Sequence, residues 1–215
     1  MGNTDDFSKQ VKNKSILDSI TPEMALQMMK EGNQRFVSKD MIEREHDWHI
    51  RETIDSQHPY AIVLGCIDSR VEPSIIFDQG IGDLFIARIA GNIINQDILG
   101  SMEYACAVSG SKLVLVLGHT SCGAVKGAID NVVLDNLTPS LRHIQLAMER
   151  VKTDDNYDRS TKNLEFVDMV ATKNVEQSIN DVRNQSPILR NLEEEGKIKI
   201  VGAIYDHSTG DVRFC

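Results

Sequence analysis

Hydrophobic positions along this chain form two kinds of run: short, nearly unbroken ones, and longer ones spaced for a helix. YAIVLGC (60–66), DLFIARIAG (83–91), KLVLVLG (112–118) and KIKIVGAIYD (197–206) are of the first kind, as expected of strands buried on both faces of a parallel sheet. Between them, helical patterns cover 96–109, 123–130, 139–152 and 163–183, the last with Phe166, Met169, Val170, Val175, Ile179 and Val182 in approximate helical rhythm. Ahead of the first strand, Thr21 and Pro22 read as the N-cap and first residue of a helix over about 22–37. Residues 46–57 are polar and ambiguous. Alternating strands and helices predict an α/β fold, a mostly parallel four-stranded sheet flanked by helices. The closing TGDVRFC adds an edge strand after a Thr-Gly turn. No repeat, linker or boundary interrupts the pattern. The expectation is one domain over 1–215, with an N-terminal helical arm (1–57) and an α/β core (58–215). TDDNYDRSTKN (153–163) reads as a solvated surface connection.

Composition narrows the classes of function. Four cysteines scattered at 66, 106, 122 and 215 are not the dense framework of a small secreted domain and fit a reduced, cytoplasmic setting. The net charge is −9, with 23 basic residues dispersed among 32 acidic ones, which argues against nucleic acid or anionic lipid as partner. No run approaches the roughly 18 apolar residues of a membrane span. The start, Met1-Gly2-Asn3, approximates a myristoylation site, but Asp6 stands where Ser or Thr is required.

The chemistry gathers at two strand ends. KLVLVLG runs into HTSCG, which delivers His119 and Cys122, while the first strand ends in GCIDSRVEPS, which delivers Cys66, Asp68 and Arg70. In an open α/β sheet, ligands bind beyond the carboxyl ends of the strands, so both motifs arrive at one edge. Two thiols and one imidazole make a Cys₂His donor set, one short of a closed zinc tetrahedron, with the fourth position open to water. Other readings explain less. Cys66 alone would pass as core filling. Gly118 and Gly123 have the spacing of a phosphate-binding loop, but Ala124 stands where its lysine must be. A Cys66–Cys122 redox pair leaves His119 and the Asp-Arg pair unexplained.

CIDSR followed about fifty residues later by HTSCG resembles the two signatures of the β-class carbonic anhydrases. The resemblance implies a zinc (Zn2+) enzyme that reversibly hydrates carbon dioxide to bicarbonate by attack of zinc-bound hydroxide, with a dimer as smallest active unit and tetramers possible. It implies zinc ligation by Cys66, His119 and Cys122, and catalytic roles for Asp68 and Arg70. Gln57, Phe85, Tyr104 and Gly123 match the substrate pocket of the plant-like subclass, with Ala90 where a Val is common; the Gln and Tyr counterparts reach in from the neighbouring subunit. In part of the family the Asp becomes a fourth zinc ligand in a closed state tied to a Trp three residues before the first Cys. Here that position is Val63, so an open site is expected. His58, His143 and His207 are candidate proton shuttles. Two thiolates neutralise the metal dication, which predicts a bound water less acidic than the pKa of about 7 at three-histidine sites and activity rising toward mildly alkaline pH. The alternatives are hydrolysis of carbonyl sulfide or carbon disulfide at the same site, and a non-catalytic zinc-binding module.

Overall fold

The computed structural model describes residues 7–215; the reading of Gly2 and Asp6 lies outside them. In chain order the elements are α1 (Lys14–Ser19), α2 (Pro22–Ser38), α3 (His46–Glu52), β1 (Ala61–Gly65), α4 (Pro73–Ile76), β2 (Leu84–Arg88), α5 (Gln96–Glu103), β3 (Leu113–His119), α6 (Gly123–Ile129), α7 (Leu137–Glu149), α8 (Leu164–Gln185), α9 (Pro187–Glu194), β4 (Lys199–Tyr205) and β5 (Val212–Phe214). They build a five-stranded sheet of order β2-β1-β3-β4-β5. Its first four strands are parallel, and β5 is an added antiparallel edge.

The unbroken apolar runs are explained by helices on both faces. Every residue of β1 and β3 is buried. Val63, Leu115 and Leu117 point toward Leu17 of α1 and Met28 and Met29 of α2, while Ile62, Leu64, Val114 and Val116 point toward Val175, Ile179 and Val182 of α8 and Leu189 of α9. α8 lies close over the sheet because Gly118 and Gly202 present no side chain to it. A Cβ on either would fall 2.6 or 2.5 Å from a Val175 methyl. α2 starts as its sequence predicts, with Thr21 Oγ1 accepting from Met24 N at 3.2 Å and Pro22 in the first turn. Its Asn33 donates to the carbonyls of Ile76 and Gly210 and accepts from Val212 N, tying α2 to β5.

Two boundaries differ from the sequence expectation. The run 83–91 stops being a strand at Arg88, because Ala90–Asn92 turn as a 3-10 helix with Gly91 and Asn92 at positive φ. The helix over 96–109 is two pieces: after Glu103 it loosens into a π-helical turn, Tyr104–Val108, with Ser109 N bonding Tyr104 O. The short helices α1, α3, α4 and α9 lie within stretches for which no helix was read. Among the described residues no helix is long and apolar enough to cross a membrane.

Candidate active site

Strands β1 and β3 pair in register, Gly65 opposite Leu117, so the residues leaving their carboxyl ends meet. Cys66, His119 and Cys122 are all buried, and each offers a ligand atom within 4.8 Å of the others. His119 Nδ1 lies 3.0 Å from the Thr120 carbonyl. A carbonyl only accepts, so Nδ1 carries the ring proton and the Nε2 lone pair is free. That Nε2 is buried without a protein partner, the state of a ligand nitrogen. The two thiols act on each other in opposite senses: Cys122 draws the Cys66 thiol well below its ordinary pKa, while Cys66 and burial push Cys122 up. Two sulfurs and one imidazole around one point fit zinc, which binds cysteine as thiolate.

The loops around these donors are held by residues the motifs do not contain. Arg88, at the end of β2, donates to the carbonyls of Cys66 at 2.9 Å and Asp68 at 2.6 Å, fixing the CIDSR turn. Gly91 N points at Cys66 Sγ, 3.4 Å away. The glycine is required twice over, by its φ of 72° and by Ile144, whose Cδ1 would lie 2.5 Å from a Cβ. Across the site, Ser121 adopts φ 54°, and its N–H is held by Asp168 Oδ1 of α8 at 2.9 Å. A lone charge inside the apolar run LFIARIAG was the available signal for Arg88. Asp168 gave none.

Asp68 faces the same point from the CIDSR loop. Arg70 holds it in a fork, Nε to Oδ1 at 3.0 Å and Nη2 to Oδ2 at 2.8 Å, with a third bond from its own backbone N–H at 3.0 Å. The guanidinium and that N–H hold the Asp68 carboxyl well below the usual carboxylate range.

Ala90, next to Gly91, and Gly123, next to Cys122, therefore lie in segments adjoining the ligands. Gln57, Phe85 and Tyr104 do not join them within one chain. Gln57 is exposed and precedes β1 at its amino end, the edge opposite Cys66. Phe85 pairs with Ile62 across β2 and β1 and meets Tyr104 edge to face at 6.1 Å. Both line a cavity of about 740 Å³ that includes Ile86, Arg88 and Ser101 but none of the three donors. Of the three candidate shuttle histidines, the one whose ring packs against a donor is His207, tilted 56° to His119 with the centroids 4.8 Å apart.

Residues 61–212 match the family profile described as carbonic anhydrase. The chain belongs to the β-class carbonic anhydrase family. It is 34% identical over 201 residues to carbonic anhydrase 2 of Mycobacterium tuberculosis, covering 90% of this chain and 93% of that protein. Carbonic anhydrase of Mycolicibacterium smegmatis is 35% identical over 192 residues, covering 89% and 92%. Among solved structures, a β-carbonic anhydrase of Aspergillus fumigatus superposes with a TM-score of 0.67 at 26% identity, over 90% of this chain and 89% of that one. The fold is shared with a Coccomyxa β-carbonic anhydrase at a TM-score of 0.69, 23% identity, and 88% and 83% coverage. The chain is thus a carbonic anhydrase enzyme by family, and the converged motifs lie inside the matched region.

Proposed function

We propose that this chain catalyses the zinc-dependent, reversible hydration of carbon dioxide to bicarbonate and a proton, with Cys66, His119 and Cys122 as the metal ligands. The observation that carries the reading is the convergence of the buried Cys66 and Cys122 sulfurs and a ring nitrogen of His119 within 4.8 Å of one another, with His119 Nε2 left without a hydrogen-bond partner. Zinc, when bound there, supplies the Lewis acidity that makes hydroxide available near neutral pH. The chain's own residues do the rest. Asp68, ionised and clamped by Arg70, would accept a hydrogen bond at a carboxylate oxygen and so orient the attacking oxygen without taking its proton; the clamp also keeps the carboxylate from becoming a ligand itself. Arg88 and Asp168 hold the two loops in register, limiting reorganisation as charge develops. A non-catalytic zinc module would have no use for the Asp68–Arg70 fork.

A linear, uncharged substrate needs a small apolar pocket and one polar donor. We assign the walls to Phe85, Ala90 and Gly123 and the donor to Gln57, the plant-like pattern. Gln57 stands nine residues before Cys66, at the far end of a strand rising about 3.3 Å per residue, so within one chain it is out of reach. This supports a dimer or tetramer in which a partner's Gln57, Phe85 and Tyr104 complete each site, and we place the enzyme in the cytoplasm. Zinc analysis with stopped-flow carbon dioxide hydration between pH 6 and 9 tests the proposal. One zinc per chain and activity rising toward alkaline pH are expected; a metal-free protein, or a profile flat from below pH 6, refutes it.

A further inference from the structure

His207 is a part-buried imidazole whose ring makes no well-formed hydrogen bond, the Thr120 backbone being the one weak partner beside it. Nδ1 and Nε2 are both closed to solvent and neither has a well-formed hydrogen bond among the described residues, while the ring packs against His119 and, edge-on, against Tyr205 at 5.2 Å. A neutral imidazole has one donor and one acceptor, and leaving both poorly met in a closed site costs free energy, which points to an ion or ligand as the missing partner. Its position says which. A ring nitrogen of His207, a ring nitrogen of His119 and a carboxylate oxygen of Asp68 lie within 4.8 Å of one another, and His119 is also a corner of the Cys66–His119–Cys122 set. His207 therefore stands beside the donor set, joined to it through His119, though outside the group the two sulfurs form.

We propose that His207 is a latent fourth zinc ligand: the site alternates between an open form and a closed form in which the His207 imidazole completes a Cys₂His₂ tetrahedron. The inference rests on the zinc reading above. Two side chains flank His119 at the edge of the donor set, and their starting points differ. Asp68 must surrender its fork from Arg70 to reach a metal. His207 surrenders no more than a weak bond to the Thr120 backbone and gains a full partner for a ring nitrogen. Its backbone is already anchored to the HTSC loop, His207 N donating to Thr120 Oγ1 at 3.1 Å, so closure falls to the side chain. Imidazole is a good zinc donor and Cys₂His₂ a closed set. Closure by His207 leaves the Asp68–Arg70 pair intact, which distinguishes it from closure by the carboxylate, and it removes the fourth position from solvent and from small anions.

Two measurements on the full-length zinc-loaded protein test this. With ¹⁵N-labelled histidine, the His207 ring signals are assigned by their loss in His207→Phe. A metal-bound nitrogen shift is expected, lost when azide is added to take the position. In parallel, zinc release into excess chelator should be at least about tenfold faster in His207→Phe, the scale on which even outer partners of a metal site act, with His207→Gln as a second variant should the first fold poorly. Free-imidazole shifts for His207 together with an unchanged release rate, at one zinc per chain, overturn this inference alone. A chain that holds no zinc overturns both it and the reading it rests on.

Discussion

Asp68 owes its ionisation to Arg70, and this has a measurable pH consequence. The carboxyl sits well below its ordinary pKa because of the Arg70 fork and the Arg70 backbone N–H. A carboxyl with a depressed folded value keeps its charge and its pairing at every pH above the ordinary value near 3.8, and loses them only as pH falls through the depressed one. Asp68 is therefore expected to show no titration between pH 5 and 9 by ¹³C NMR, and the activity profile should take no acid limb from it. Arg70→Ala removes the fork: the Asp68 pKa returns upward toward the ordinary value, and activity falls by about 10- to 100-fold, the range for lost partners of metal-site groups. Arg70→Lys, which cannot reproduce a two-pronged bond, should recover only part of that. An Arg70→Ala enzyme with normal turnover would remove Asp68–Arg70 from the mechanism. The motif residues were legible because the chemistry demands those residue types. Arg88 showed only as a lone charge in an apolar run and Asp168 not at all, since their work is to hold backbone atoms of the two loops, and a side chain that bonds a distant carbonyl or N–H leaves no spacing to read.

At the scale of elements, what was legible followed from burial. β1 and β3 have helices on both faces, so their sequences are continuous apolar runs that could be little else, and the carboxyl edge of the sheet then dictated where the site would be. The short helices α1, α3, α4 and α9 are four to eight residues long, barely two turns at most, too short for a 3.6-residue period to show. Close approaches between elements were invisible for another reason: they depend on what is missing. Gly32 in α2 is the sharpest case. On propensity alone, Gly→Ala in a helix gains about 0.5–1 kcal/mol. Here an ideal Cβ would lie 1.8 Å from the Phe77 carbonyl oxygen at the end of α4, so α2 would have to lift from a contact that also seats Asn33 on β5. Gly32→Ala is expected to destabilise by about 1–3 kcal/mol, the range for overpacking, in urea titrations followed by circular dichroism. A gain in stability would show that α2 shifts at no cost. Gly202→Ala should act in the same direction, since Val175 and Ile179 occupy the space its Cβ would need.

The whole molecule carries an unpartnered face that the assembly must answer for. β2 pairs with β1 alone among the described strands, and an open edge strand of this kind is ordinarily covered or blunted. Beside it stand Ile86, Tyr104 and Val108, exposed to 38%, 51% and 71%, with Phe85 and Tyr104 in contact across the cavity. In the proposed oligomer this face is buried against a second copy, and it is also where Gln57, Phe85 and Tyr104 would cross into the neighbouring site. The three proposed zinc donors, by contrast, all come from one chain. Assembly and metal binding are therefore separable, and a variant can break one without the other. Ile86→Arg with Val108→Arg places two like charges on this face and touches neither the donors, nor the Asp68–Arg70 pair, nor the pocket residues. Light scattering coupled to size exclusion should find the unaltered chain as a dimer or tetramer and the double variant as a monomer. The variant should still hold one zinc per chain, while carbon dioxide hydration drops by about 100-fold or more because each site lacks its neighbour's amide donor, a loss on the scale of one missing oxyanion-type bond. A monomer that hydrates carbon dioxide at the full rate would show that every site is complete within one chain, and the assignment of Gln57, Phe85 and Tyr104 to the pocket would fall with it.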